Sequence, residues 1–210
     1  MSEAGVESVW SQILAGATGA SVAEQIATVL GIVGVWLMMK RSLWSFPVGL
    51  VQVAIFGWVC FQARLYSETV LQGMFFAALA YGWCHWARAA SAKGEELPIS
   101  SLSTRARLGW GLGVIALWAI WGAIMQRVGA AMAWADAFVF SVSVGSQILQ
   151  SRKVVENWPG WLLANVVAVG VFWAKEFYWF SVLYAVFAVM AWGGWREWTR
   201  AMRAQRKGRT

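Results

Sequence analysis

Long apolar runs, each closed by a short polar break, dominate the chain. Reading the runs against their breakers gives seven stretches of spanning length, at roughly 22–39, 43–63, 66–87, 108–127, 134–151, 157–174 and 177–198. About 20 apolar residues cross a hydrocarbon core of ~30 Å. Backbone in lipid must satisfy its own hydrogen bonds, so helices are the expected solution. A membrane β-barrel would alternate polar and apolar residues over segments of about ten, whereas these runs are continuous. The expected fold class is therefore an all-α polytopic membrane protein.

Composition sharpens this picture. The 210 residues are 60% hydrophobic and only 13% charged, with 17 tryptophans and a mean hydropathy of +0.56. A soluble domain of this size needs more charge to cover its surface. The net charge of +7 does not point to nucleic acid, because the basic residues fall between apolar runs rather than along one face. The first 39 residues contain no Lys or Arg, so no cleavable signal peptide with a basic start is expected. Cys60 and Cys84 lie inside apolar stretches and read as small buried hydrophobes, not as a disulfide or metal pair.

The placement of charge predicts orientation. Lys40 and Arg41 follow the first run, and Arg88, Lys93, Arg105 and Arg107 separate the third from the fourth. Arg152 and Lys153 separate the fifth from the sixth, and Arg196, Arg200, Arg203, Arg206, Lys207 and Arg209 close the chain. Only Arg64, Arg127 and Lys175 fall on the other side. The positive-inside rule puts the N-terminus outside and the C-terminus in the cytoplasm.

Shifted by 112 residues, the two ends superpose without a gap. Lys40-Arg41 meets Arg152-Lys153, Pro47 meets Pro159, Tyr66 meets Tyr178, and Phe75 meets Phe187. Gly82-Trp83-x-x-Trp86 meets Gly194-Trp195-x-x-Trp198. The expected layout is an extracytoplasmic N-terminal segment over 1–21 and a first three-helix repeat over 22–90. A cytoplasmic loop (91–107), a linker helix (108–130), a second three-helix repeat (131–200) and a basic cytoplasmic tail (201–210) follow. A single linker helix gives both units the same orientation, a parallel repeat of the kind that puts a substrate path at its own interface.

Polar groups within the runs are few, and intramembrane polar groups are functional candidates. Asp136, Phe140, Ser143 and Gln147 form one helical stripe, and Trp158, Trp161 and Asn165 another. Gln52, Gln72, His85, Ser141, Ser181 and Tyr184 complete the set. Tryptophan faces stack on rings and attract cationic ones, and amides read carboxamide or hydroxyl groups. The same amides could simply join helices, at ~1 kcal/mol or less each. Asp136 could bind a cation or a ribose hydroxyl, or cap its helix; His85 could relay protons or snorkel. Trp83 and Trp195 join Trp158 and Trp161 as the tryptophans to test. Glu156 and Asn157 are placed to cap the sixth run or to pair with Arg152 and Lys153. No metalloprotease, nucleophile-elbow or P-loop motif occurs, so no enzyme activity, cofactor or metal is expected.

The run Arg152-Lys153-x-x-Glu156-Asn157-Trp158-x-x-Trp161-x-x-x-Asn165 resembles the nicotinamide riboside transporter (PnuC) family. Trp134 and Asp136, the stretch LYSETVLQGMFFAALAYGW at 65–83, and Tyr178 to Gly194 extend the resemblance over roughly 22–200. It implies a three-plus-one-plus-three, SWEET-like fold in the bacterial inner (cytoplasmic) membrane, assembled as a homotrimer. It also implies uptake of nicotinamide riboside, an NAD precursor, by facilitated diffusion with trapping by cytoplasmic phosphorylation. Trp158 and Trp161 would then face the pyridinium ring, and Gln147 and Asn165 the carboxamide or ribose. Gln52 and Gln72 would contribute from the first repeat, opposite Tyr184, with Asn157 carried by the motif. Some relatives carry asparagine at the position of Gln52, and the position of Gln147 varies. A related vitamin or nucleoside (thiamine, riboflavin, a deoxynucleoside) or a non-transporting scaffold are the alternatives.

Overall fold

The computed structural model describes residues 3–62, 64, 66–93 and 96–207. Arg209, counted above among the tail charges, lies outside these. The described residues form eight α-helices: α1 (Glu3–Gly19), α2 (Val22–Met39), α3 (Ser45–Gln62), α4 (Tyr66–Lys93), α5 (Thr104–Arg127), α6 (Ala133–Ser151), α7 (Asn157–Ala174) and α8 (Tyr178–Lys207). Of these, α2, α3, α5 and α8 are long and apolar enough to cross a membrane. The other helices include α6, which carries Asp136 and several serines, and α7, which carries two asparagines.

The seven expected runs correspond to α2–α8, whereas α1 was expected only as a segment. Its half-buried residues Ile13, Gly16 and Ala17 recur at helical spacing. Gly16 lets it approach α8, since a Cβ there would stand 2.8 Å from Trp179 Cβ. Ser21 and Glu24 form a reciprocal capping box that starts α2.

The 112-residue offset is present in the backbone. Helices α3 and α4 begin at 45 and 66, α7 and α8 at 157 and 178. Left-handed residues repeat at the same offset: Arg41 (φ 60°) with Lys153 (φ 57°), and Arg64 (φ 58°) with Glu176 (φ 63°). Three of these close helices by the Schellman pattern. Arg41 N–H donates to Met38 and Ser42 N–H to Leu37; Lys153 donates to Gln150 and Val154 to Leu149; Glu176 donates to Trp173 and Phe177 to Phe172. Helices α2, α3 and α4 pack in sequence, as do α6, α7 and α8, with α5 against α6. The two units meet through α4 on α6 and α2 on α8, pairs that exchange under the offset.

The Gly-Trp-x-x-Trp motif explains this exchange. Trp86 Nε1 donates to Ser151 O at the end of α6 (3.0 Å), and Trp198 Nε1 donates to Met38 O near the end of α2 (3.1 Å). Each indole thus donates to a backbone carbonyl at the other unit's helix end, where the last carbonyls lack their full set of helical partners; Met38 O accepts from Arg41 N–H as well. Phe46 meets Trp86 edge-on at 5.0 Å, and Trp158 meets Trp198 likewise at 5.5 Å. Gly82 and Gly194 make room: a Cβ at the first would stand 2.6 Å from Phe46, at the second 2.5 Å from Trp158.

Outside the helices, residues 96–103 lie against the α6–α7 loop. Lys153 is 2% exposed, with Nζ 3.5 Å from Glu96 Oε2 and 4.4 Å from the Trp86 ring centroid. Burial pushes its ammonium below the usual lysine range, and Glu96 offsets part of that. Glu156 neither caps α7 nor pairs with Arg152 or Lys153. Instead it accepts from Arg107 Nη2 (2.8 Å) and Leu102 N–H (3.2 Å), because α5 returns over the start of α7.

Candidate functional site

The helix ends just described hold a cavity of about 230 Å³ between the two units, more than ten times the space one water requires. Its wall draws on α2, α3, α4, α6, α7 and α8. Helix α7 supplies Trp158, Trp161 and Asn165; α6 supplies Gln147 and Gln150; α3 supplies Gln52; α4 supplies Gln72; and α8 supplies Tyr184. No Asp, Glu, Lys, Arg or His side chain lines it among the described residues.

The lining follows the repeat. Val35 and Gln147 are counterparts at the 112 offset, as are Gly49 and Trp161, Val53 and Asn165, and Gln72 and Tyr184; all eight line the cavity. The backbone frame is shared while the chemistry differs: amides and indoles of α6 and α7 take the places that small apolar residues hold in α2 and α3. Such a wall fits an asymmetric solute, with a ring on one side and hydrogen-bonding groups around it.

Hydrogen bonding separates fixed from open groups. Trp161 Nε1 donates to Gln150 Oε1 at 2.8 Å, and Phe75 meets the Trp161 ring edge-on at 5.8 Å. Phe172 stacks on Tyr184 at 5.0 Å and fixes that ring from behind. Gln147 Nε2 and Trp158 Nε1 are buried donors without a partner among the described residues. An unmet buried donor costs about 1–3 kcal/mol, and both residues line the cavity.

Of the residues singled out in the sequence, Trp158, Trp161, Asn165, Gln147, Gln52, Gln72 and Tyr184 are thus brought together. Asn157 is fully buried beside the cavity floor and donates to Val154 O at 2.6 Å. Trp83 is 41% exposed, and Trp195 packs on Trp192 at 5.4 Å; neither lines the cavity. Asp136 forms an ion pair with Lys175 Nζ at 2.7 Å, tying α6 to the α7–α8 corner. Phe140 turns to α5 and stacks on Trp121 at 4.5 Å, and His85 stacks on Tyr81. Gln150 was missed, although it lies one turn beyond Gln147 on the same face.

A second hollow of about 630 Å³, between α1, α2 and the α7–α8 corner, shares Thr28, Phe56 and Phe180 with the first. The two hollows are thus neighbours, the second lying toward Glu176 and the α7–α8 corner. At the other end Trp158, Trp198, Trp86 and Phe46 belong to one buried cluster.

An uncharged, ring-and-amide cavity between two repeats, walled in part by the apolar, spanning-length helices α2, α3 and α8, fits a multi-pass membrane transporter of a small polar solute. The chain belongs to the nicotinamide mononucleotide transporter family, whose model matches residues 21–200. It is 30% identical over 208 residues to the nicotinamide riboside transporter PnuC of Escherichia coli (strain K12), covering 86% of this chain and 87% of that protein. To the riboflavin/roseoflavin transporter RibM of Streptomyces davaonensis it is 25% identical over 168 residues, 78% of each chain. A crystal structure of the vitamin B3 transporter PnuC shares the fold, with a TM-score of 0.74 at 18% identity over 97% of this chain and 94% of that one.

Proposed function

We propose that this protein takes up nicotinamide riboside through the cavity between its repeats. The observation that carries the reading is the lining: among the described residues it offers indole and phenyl faces, four glutamines, one asparagine and no carboxylate. A pyridinium ring is drawn to aromatic faces, and a buried carboxylate would hold a cation too tightly to release it. Trp158 and Trp161 form the ring's wall. The free donors of Gln147 and Trp158, with Asn165, Gln52 and Gln72, read the carboxamide and ribose opposite Tyr184. Asn157, Trp83, Trp195 and Asp136 serve the frame rather than the solute.

Helices α2–α8 are the seven spans of a three-plus-one-plus-three, SWEET-like parallel repeat, with α1 outside and the C-terminus in the cytoplasm of a bacterial cell. Basic residues at the Lys153 end support that orientation. Transport is facilitated diffusion by alternating access in a homotrimer, and cytoplasmic phosphorylation of the vitamin keeps the gradient inward.

Titrating purified protein with nicotinamide riboside, read by tryptophan fluorescence, tests the site. Trp161→Ala and Asn165→Ala should each weaken binding about tenfold, ~1.4 kcal/mol. Unchanged affinity in both variants, or tighter binding of riboflavin than of nicotinamide riboside by the intact protein, would refute the assignment.

A further inference from the structure

The closed end of the cavity is crossed by a segment whose contacts exceed those of a linker. Residues 96–103 leave the first repeat after α4 and run to α5 without helical structure. Ser100 forms a parallel bridge with Val154: its N–H donates to Lys153 O (3.1 Å), and its carbonyl accepts from Val155 N–H (2.9 Å). Ile99 N–H donates to Gln205 Oε1 of α8 (3.1 Å), and Leu102 N–H donates to Glu156. One extended segment from the first unit is thus hydrogen-bonded to the α6–α7 loop and to α8 of the second.

Its one buried side chain joins the cluster behind this end of the cavity. Ile99 is 6% exposed and shares a cluster with Trp86, Val155, Trp158 and Trp198. Trp158 lines the cavity; behind it stands Trp198 at 5.5 Å, then Trp86 at 5.9 Å from Trp198. Trp86 belongs to the first unit and Trp198 to the second, so a solute leaving by this end must pass where the units part. The segment holds them together at that point.

We propose that residues 96–103 are the latch of the cytoplasmic gate, with Ile99 as its plug and Glu156 as its anchor. The segment must lift from Val154 before Trp86 and Trp198 can separate. This rests on the transport reading above. In a merely structural clip the bridge would stay closed throughout the cycle.

Cross-linking tests it. Bridged strands lie about 4.8 Å apart, inside the roughly 4.4–6.8 Å Cα range of a disulfide. Ser100→Cys with Val154→Cys, in a chain carrying Cys60→Ser and Cys84→Ala, is reconstituted in liposomes and given labelled nicotinamide riboside. Oxidation, which joins the two thiols with loss of two hydrogens, should lower uptake at least tenfold while fluorescence-detected binding stays within about threefold; reductant should restore uptake. Equal uptake by the cross-linked and reduced protein overturns the latch. No uptake by the reduced protein, when the Cys60→Ser/Cys84→Ala chain transports, is replaced by a second measurement on Ile99→Cys. Maleimide labelling of that thiol to completion should block uptake, and an unaltered rate overturns the latch. No uptake by the intact parent chain would overturn the transport reading and the latch with it.

Discussion

Gly194→Ala isolates the link between the repeat frame and the cavity wall. A Cβ at Gly194 would stand 2.5–2.6 Å from three ring carbons of Trp158. That indole is 1% exposed and backed by Trp198 at 5.5 Å, so the direction left to it is into the cavity it lines. Overpacking costs about 1–3 kcal/mol, and a fused ring driven off its Trp198 contact belongs at the upper end. Replacing a helical glycine returns about 0.5–1 kcal/mol. The net loss is about 2 kcal/mol, equivalent to a fall of about 4–8 °C in unfolding midpoint for a chain of this size. Displacing Trp158 should also weaken nicotinamide riboside binding about tenfold. Gly170→Ala on α7, with nothing within 4 Å of its Cβ, is the control and should raise the midpoint by about 1–4 °C. Thermal unfolding of the purified proteins by tryptophan fluorescence, with a ligand titration of each, gives both numbers. A Gly194→Ala protein that melts no lower than the parent and binds as well would refute the packing argument.

Trp158→Phe keeps a ring in the wall and removes the unmet donor, so the unliganded protein should lose no more than about 1 kcal/mol while affinity falls about tenfold; equal affinity would mean that Nε1 reads nothing. Asp136→Asn breaks a partly exposed ion pair worth about 0–1 kcal/mol, and uptake should stay within about twofold; a loss beyond tenfold would make Asp136 an ion-coupling group. Lys153 has a folded pKa below its ordinary 10.5. Between the two values the unfolded chain holds more protons, so stability should rise with pH through that interval. Denaturation midpoints stepped up to pH 10.5 should show this slope, and Lys153→Met should flatten it.

Much of this was legible in the sequence where one interaction dominates. Helix α7 was expected at 157–174, the bounds observed, because Pro159 suits a first helical turn and Ala174 precedes the charged Lys175-Glu176 corner. Its Trp158-Trp161-Asn165 stripe faces the cavity as a single stripe must. The α6 stripe divides because residues 140–147 are all buried: with partners on every side, period alone assigns no face, and Phe140 goes to Trp121. Glu156 was expected beside its sequence neighbours and instead binds Arg107, 49 residues away, a pairing fixed only by the return of α5. From the repeated Gly-Trp-x-x-Trp, Trp83 and Trp195 were the tryptophans singled out. The structure buries Trp86 and Trp198, whose indoles have a carbonyl to meet, and turns Trp83 outward.

The central claim is that this chain alone carries nicotinamide riboside across a membrane through its inter-repeat cavity. Uptake of the labelled compound into liposomes containing only the purified protein tests it most directly. The account predicts saturable, equilibrating uptake that survives ionophores and is lost in the Trp161→Ala/Asn165→Ala double variant. Uptake no faster than in protein-free liposomes, or undiminished in that variant, would contradict it.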